Sequence, residues 1–124
     1  MVWGLGHTYA KAKVLNPREP SQFLEVDLMV DTGSRYTWIR KDMLEKLGIN
    51  PERVARFKTI DGRVLERPIG IAIIECVGER TGTTIVFGEK DDVQVLGVHA
   101  LEGLRLEVDP YTGELKPVPV ILAV

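Results

Sequence analysis

The chain holds a single cysteine, Cys76, so no intramolecular disulfide can form. A lone thiol without a disulfide framework fits a reducing compartment, and the expected location is cytoplasmic. Cys76 lies in an apolar run and reads as a small buried hydrophobe. Long apolar runs are missing as well, and none approaches the roughly 18 residues that a membrane span needs. No basic-then-apolar leader opens the chain, which argues against a signal peptide. Neither sign of charge dominates: 16 Lys and Arg face 18 Asp and Glu, for a net charge of -2. That balance gives no reason to expect nucleic acid or an anionic membrane as partner. The two histidines, His7 and His99, lack the Cys, His or carboxylate neighbours that zinc requires, so no metal is expected. The glycines of Trp3-Gly4-Leu5-Gly6-His7 have no strand before them or helix after them, and no Gly-rich phosphate loop with a Lys occurs; no cofactor is expected. Repeats, low-complexity segments and linkers are absent, and 124 residues make one domain, 1–124.

What the chain does have is short β-prone stretches divided by turn residues. Tyr9 to Leu15 alternates Ala and Val with Lys, the pattern of a half-buried strand. Asn16 to Ser21 reads as a loop. Phe23 to Val30 is a strand with Val26, Leu28 and Val30 on one face, and Asp27 and Met29 on the other. Tyr36 to Ile39 is β-prone. Lys41 to Leu47 reads as a short helix with Gly48 as its left-handed cap. Phe57 to Ile60 and Arg63 onward flank Asp61-Gly62, a two-residue hairpin signal. The second arm, Val64 to Val77, is interrupted by Pro68 and Gly70, which suggests an edge position or a bend. Gly78 to Gly82 is a turn, Thr83 to Phe87 a strand, and Gly88 to Asp92 a loop. Val93 to Leu96 is an inner strand ending at Gly97. His99 to Leu104 is a second short helix, Arg105 to Val108 a strand, and Asp109 to Gly113 a turn. Such a chain is mainly β and closed. The tail, Val118 to Val124, is too apolar to stay free. It either packs on its own core or shares a sheet with a second protomer.

One stretch carries chemistry. Asp31-Thr32-Gly33-Ser34 follows the strand that ends at Val30. Asp31 supplies a carboxylate, Gly33 lets the backbone turn and a reactant approach, and the hydroxyls of Thr32 and Ser34 tie the loop down. By chance a bare Asp-Thr-Gly occurs in roughly one chain in fifty of this length. On the tripeptide alone, an ordinary Asx-type turn between strands is the better reading.

Three blocks change that balance. They are Leu28 to Ile39 with Leu44 to Ile49, then Thr59 to Gly70, then Val95 to Pro110. In content and order they resemble the retropepsin-like aspartic proteases, and closely the small prokaryotic single-domain members. The likeness runs over roughly residues 22 to 118. It implies a closed acid-protease β-barrel with one or two short helices, working as a homodimer. The implied activity is aspartic endopeptidase acting on a peptide or protein substrate, with catalytic residues Asp31, Thr32 and Gly33. Thr59 to Gly70 is similar to the family's flap hairpin, which places Asp61 and Gly62 at a tip that closes over substrate. Val95 to Leu104 resembles the strand and helix that brace the catalytic loop. The candidate substrate-binding residues are Ser34, Arg35, Tyr36, Trp38, Asp61, Gly62, Leu96 and Gly97. For Arg35, Tyr36 and Trp38, an exposed charge plus two core aromatics is an equally good reading.

Hydrolysis without a metal or covalent nucleophile needs a base to activate water and an acid to protonate the leaving group. Two carboxylates sharing a proton do both. This chain has one Asp-Thr-Gly and is too short for two lobes, so the second carboxylate has to come from Asp31 of another copy across a two-fold axis. By resemblance, Thr32 bonds to the opposite loop. Three positions depart from the family's common pattern: Ser34, His99 and Arg105. An alternative from another class stays open, a non-catalytic dimerisation or peptide-binding module that keeps the fold.

Overall fold

The computed structural model describes residues 8–121 and residue 123; the Trp3 to His7 segment, Leu122 and Val124 lie outside the described residues. The described chain is mainly β. Its elements are β1 (Thr8–Asn16), β2 (Glu19–Val30), β3 (Thr37–Arg40), α1 (Lys41–Lys46), β4 (Arg53–Lys58), β5 (Val64–Cys76), β6 (Glu79–Gly88), β7 (Val95–Leu96), α2 (Val98–Leu104), β8 (Leu106–Val108) and β9 (Leu115–Pro117).

The strands close into a ring in the order β1-β2-β7-β3-β6-β5, and β5 returns to β1 through Lys13 opposite Glu75 and Leu15 opposite Ile73. The helices and the inner faces of these strands fill one core. Leu28, Leu44, Ile74, Ile85, Leu96 and Leu104 are completely buried in it. Each contributes about 2 kcal/mol by leaving water. Along β2 the alternation holds: Val26 and Leu28 are buried, Asp27 is exposed, and Val30 packs against the core. Cys76 is buried, and burial pushes its thiol pKa up, as befits an inert core residue.

Several boundaries differ from the sequence reading. Glu19, Pro20 and Ser21 belong to β2 rather than to a loop, because a two-residue turn at Pro17 and Arg18 suffices and Asn16 pairs directly with Glu19. The buried Asn16 supports that turn, its amide donating to Leu47 O and its Oδ1 accepting from Arg18 N–H. β4 begins at Arg53, ahead of the expected Phe57, because its pairing with β5 starts at Arg53 opposite Ile69, and it ends at Lys58 because Thr59 and Ile60 go into the tip. β3 starts at Thr37 and β7 is only two residues long. Arg105 caps α2 in the left-handed region, φ 58°, instead of joining β8. Gly48 has φ 74° after α1, the expected cap.

β5 explains Pro68 and Gly70. Ile69 pairs with Arg53 on one side and Val86 on the other, and Ile73 pairs with Leu15 and Gly82. One edge of β5 therefore changes neighbour, from β4 to β1, while the other edge meets β6 only from Ile69 onward. Pro68 sits just before that second ladder begins, where a missing N–H does least harm. Gly70 lies where the edge changes hands, and a Cβ there would come within 3.0 Å of Asn50 O and 3.1 Å of the Phe87 ring.

The two hairpin turns also exchange character. At the expected two-residue turn, Gly62 N–H donates to Thr59 O and Thr59 N–H to Arg63 O, so the loop is three residues, Ile60, Asp61 and Gly62. Gly62, φ 88°, occupies its left-handed position. The two-residue turn is instead Val77-Gly78, with φ 51° and 78°, and Cys76 paired with Glu79. Glu79 to Gly82 are strand, not turn. A β-branched residue in the left-handed region costs about 1–2 kcal/mol, and Val77 is exposed, so it recovers little of this through packing. Val77→Asn is expected to raise stability by about 1 kcal/mol, seen as a higher urea midpoint with an unchanged slope. An unchanged midpoint contradicts the strain.

The tail does not pack on its own core in the described residues. Beyond β9, Val120 and Ile121 are exposed, and among the described residues the tail's backbone hydrogen bond is Val118 N–H to Arg105 O.

Candidate active site

The Asp31 loop is held from below by the last residues of β7 and the start of α2. β2 and β7 run parallel, with Met29 beside Val95 and Val30 beside Leu96. Their ends therefore arrive together, and Asp31 N–H donates to Leu96 O at 3.0 Å. Ser34 N–H donates to Asp31 O at 3.1 Å and closes the turn. Gly33 N–H donates to Asp31 Oδ1 at 2.8 Å, the bond of an Asx turn. The other carboxylate oxygen accepts no hydrogen bond from any described residue. Asp31 is half-buried, while Thr32 and Gly33 are exposed.

The same loop caps α2. The first N–H groups of a helix lack internal partners. Here Val98 N–H donates to Ser34 O at 2.8 Å and His99 N–H to Arg35 O at 3.0 Å. Gly97, the N-cap, donates to the buried Thr37 Oγ1 at 3.0 Å. Ser34 Oγ donates to Tyr36 O at 2.8 Å. The carbonyls of Asp31, Ser34, Arg35 and Tyr36 thus all accept hydrogen bonds within the loop or from α2.

Above the loop, the β4–β5 hairpin stands over a cleft of about 380 Å³. Ser34, Arg35, Tyr36 and Trp38 form one wall; Arg56, Phe57, Lys58 and Leu65 form the other. The Phe57 ring lies 5.2 Å from Trp38 and 6.0 Å from Tyr36, and His99 meets Tyr36 edge-on at 5.3 Å. Tyr36 and Trp38 are half-buried cleft residues, and Arg35 is exposed. Asp61 and Gly62 stand at the exposed hairpin tip, where the Asp61 carboxylate is engaged by Thr59 and Arg63. Leu96 and Gly97 lie beneath the loop rather than along the cleft. The sequence reading missed Phe57 and Leu65. They pair directly across the hairpin because its loop has three residues; the two-residue turn expected from Asp61-Gly62 would have set Lys58, not Phe57, opposite Leu65. A larger cavity, about 540 Å³, lies away from Asp31, between the start of β1 and the turn before β9. Among the described residues, no three His, Cys, Asp or Glu cluster for a metal, and no helix is long and apolar enough to cross a membrane.

The hairpin base is clamped by an ion pair. Arg67 donates to both oxygens of Asp92, at 2.8 and 3.2 Å, and Asp92 also accepts Glu89 N–H at 2.7 Å. The two side chains are only 17% and 18% exposed, so solvent screens this pair less than the surface pairs. The Arg67 hydrogen bonds, outweighing partial burial, hold the Asp92 carboxyl below the usual carboxylate range. A depressed folded pKa adds stability that is complete above the unfolded value, about 3.9, and is lost as pH falls through the folded one. Asp92→Asn is expected to cost about 2 kcal/mol near neutrality, with the gap to wild type closing below about pH 3.9. Urea unfolding at both pH values checks this; a pH-independent gap contradicts it.

A family model described as aspartyl protease matches residues 21–100, which include the Asp31 loop, both walls of the cleft and Gly97. A search of the curated proteins gave no match. The match covers well over half of the chain, and the loop, its brace and the mainly β ring agree with it: the chain belongs to the aspartyl protease family, of the retropepsin-like type.

Proposed function

We propose that the protein is a homodimeric aspartic endopeptidase whose active site is shared between two copies of Asp31. The observation that carries this reading is the half-buried Asp31 carboxylate, tied at one oxygen to Gly33 and free at the other, beside a cleft bounded by a hairpin. Family membership supports a peptidase, and a single Asp-Thr-Gly per chain calls for a second copy. The exposed Val120 and Ile121 offer apolar surface that a partner protomer covers.

In the reaction, an ionised Asp31 takes a proton from a water, and the water oxygen attacks the scissile carbonyl. The protonated Asp31 of the other protomer stabilises the developing oxyanion by giving it a proton. As the C–N bond breaks, the first Asp31 gives its proton to the departing nitrogen and the second takes one back from a hydroxyl of the tetrahedral intermediate, which restores the shared proton. The exposed Thr32 reaches toward the opposite loop, and Asp61 with Gly62 closes over the bound peptide. Ser34, Arg35, Tyr36 and Trp38 hold the substrate, while Leu96 and Gly97 keep the loop in place.

Incubation with a diverse peptide library, with and without pepstatin, tests this reading by mass spectrometry. Pepstatin-sensitive cleavage is expected. Peptide capture without any cleavage would make the protein a binding module on the same fold.

A further inference from the structure

The cleft beside Asp31 has an aromatic floor and a cationic rim. β4 alternates, so Phe57 faces Tyr36 and Trp38 while Arg56 and Lys58 are exposed at the margin; Arg35 adds a third cation from the opposite wall. No carboxylate side chain lines this cleft, although the chain as a whole carries more acid than base. Arg35, Arg56 and Lys58 form no ion pair with any described residue. Glu66 stands opposite Arg56 in the hairpin register, yet makes no ion pair with it. The acid nearest the tip, Asp61, is already taken by Thr59 and Arg63. Among the described residues β4 is also the last strand of its sheet, paired with β5 alone, and its other edge meets no described strand, which leaves room there for an extended chain.

We infer that the cleft selects extended peptides that carry Asp or Glu beside an apolar or aromatic residue. The inference rests on the peptidase reading and names its substrate class. The aromatic floor takes the apolar side chain, and the rim cations meet the flanking carboxylates. Exposed charge pairs each change affinity by a factor of about 1.4 to 5, so three of them give on the order of tenfold. Because the rim is exposed, salt screens the effect over a Debye length of about 8 Å near physiological ionic strength.

The test uses octapeptides with one aromatic–apolar centre flanked by Glu, Gln or Lys. Binding to the full-length Asp31→Asn protein is read by anisotropy of labelled peptides, and wild-type kcat/KM is measured on the same set. The Glu peptide is expected to bind about tenfold tighter than the Lys peptide at low salt, with the ratio approaching one in high salt. The double variant Arg56→Glu/Lys58→Glu should invert the order, while Arg18→Glu, on a distant exposed loop, should not. Equal binding of all three peptides, no binding at all, or a preference that survives high salt overturns the inference. If the Glu preference and its inversion persist while wild type cleaves neither these peptides nor any of the diverse library, the peptide preference stands as that of a binding cleft and the peptidase reading falls.

Discussion

Asp31→Asn is expected to lower kcat for peptide hydrolysis by roughly 10²–10⁴-fold, the range for loss of general acid–base catalysis. Asn is nearly isosteric with Asp. Its side-chain oxygen can still accept the Gly33 N–H that Asp31 Oδ1 accepts at 2.8 Å. The backbone bonds from Asp31 to Leu96 and from Ser34 to Asp31 involve no side chain and persist. The loop should therefore keep its shape while losing its base, and kcat should fall far more than KM rises. Circular dichroism and the urea midpoint should match wild type. Cleavage at the wild-type rate would remove Asp31 from the chemistry.

Gly97→Ala is expected to destabilise the fold by about 3 kcal/mol, the upper end of the cost of overpacking. The backbone angles at Gly97, φ -93° and ψ 177°, suit any residue, so the effect is purely one of space. A Cβ there would lie 2.6 Å from the Tyr36 carbonyl carbon and 2.9 Å from Ser34 O, and would press hardest on Tyr36 O. These are backbone atoms of the loop that carries the cleft wall, and they cannot rotate away. Relief requires moving the Asp31 loop off β7 and α2, so activity should fall beyond what the lost stability explains. Gly82→Ala is the control: nothing lies within 4 Å of its added Cβ, and its urea midpoint should barely move. Equal effects of the two substitutions would show that the close approach at Gly97 is not a constraint.

The parts of this molecule that were legible beforehand are those written in neighbouring residues. The Asp31 turn, the Gly48 cap, the two short helices and the burial of Cys76 each depend on a few consecutive side chains, and each is present. The parts that were not legible depend on register between distant strands. Pro68 and Gly70 mark an interruption in β5, but which strands meet there is set by where β1 and β4 arrive, and the local pattern does not encode that. Phe57 reads locally as one apolar residue among cations. It becomes a cleft residue only when Leu65 faces it across the hairpin and Tyr36 and Trp38 rise beneath it. Val77 misled for a different reason. Its side chain prefers extended backbone, yet the short connection between Cys76 and Glu79 forces it into the left-handed region, so tertiary pairing overrides local preference.

The central claim is that one active site needs two chains, and specific activity measured along a dilution series tests it most directly. With the site shared, activity per milligram should be constant while sedimentation reports roughly twice 13.9 kDa, and should fall in step with the dimer fraction on dilution. Constant specific activity down to concentrations at which only the 13.9 kDa species remains would contradict the shared Asp31 site.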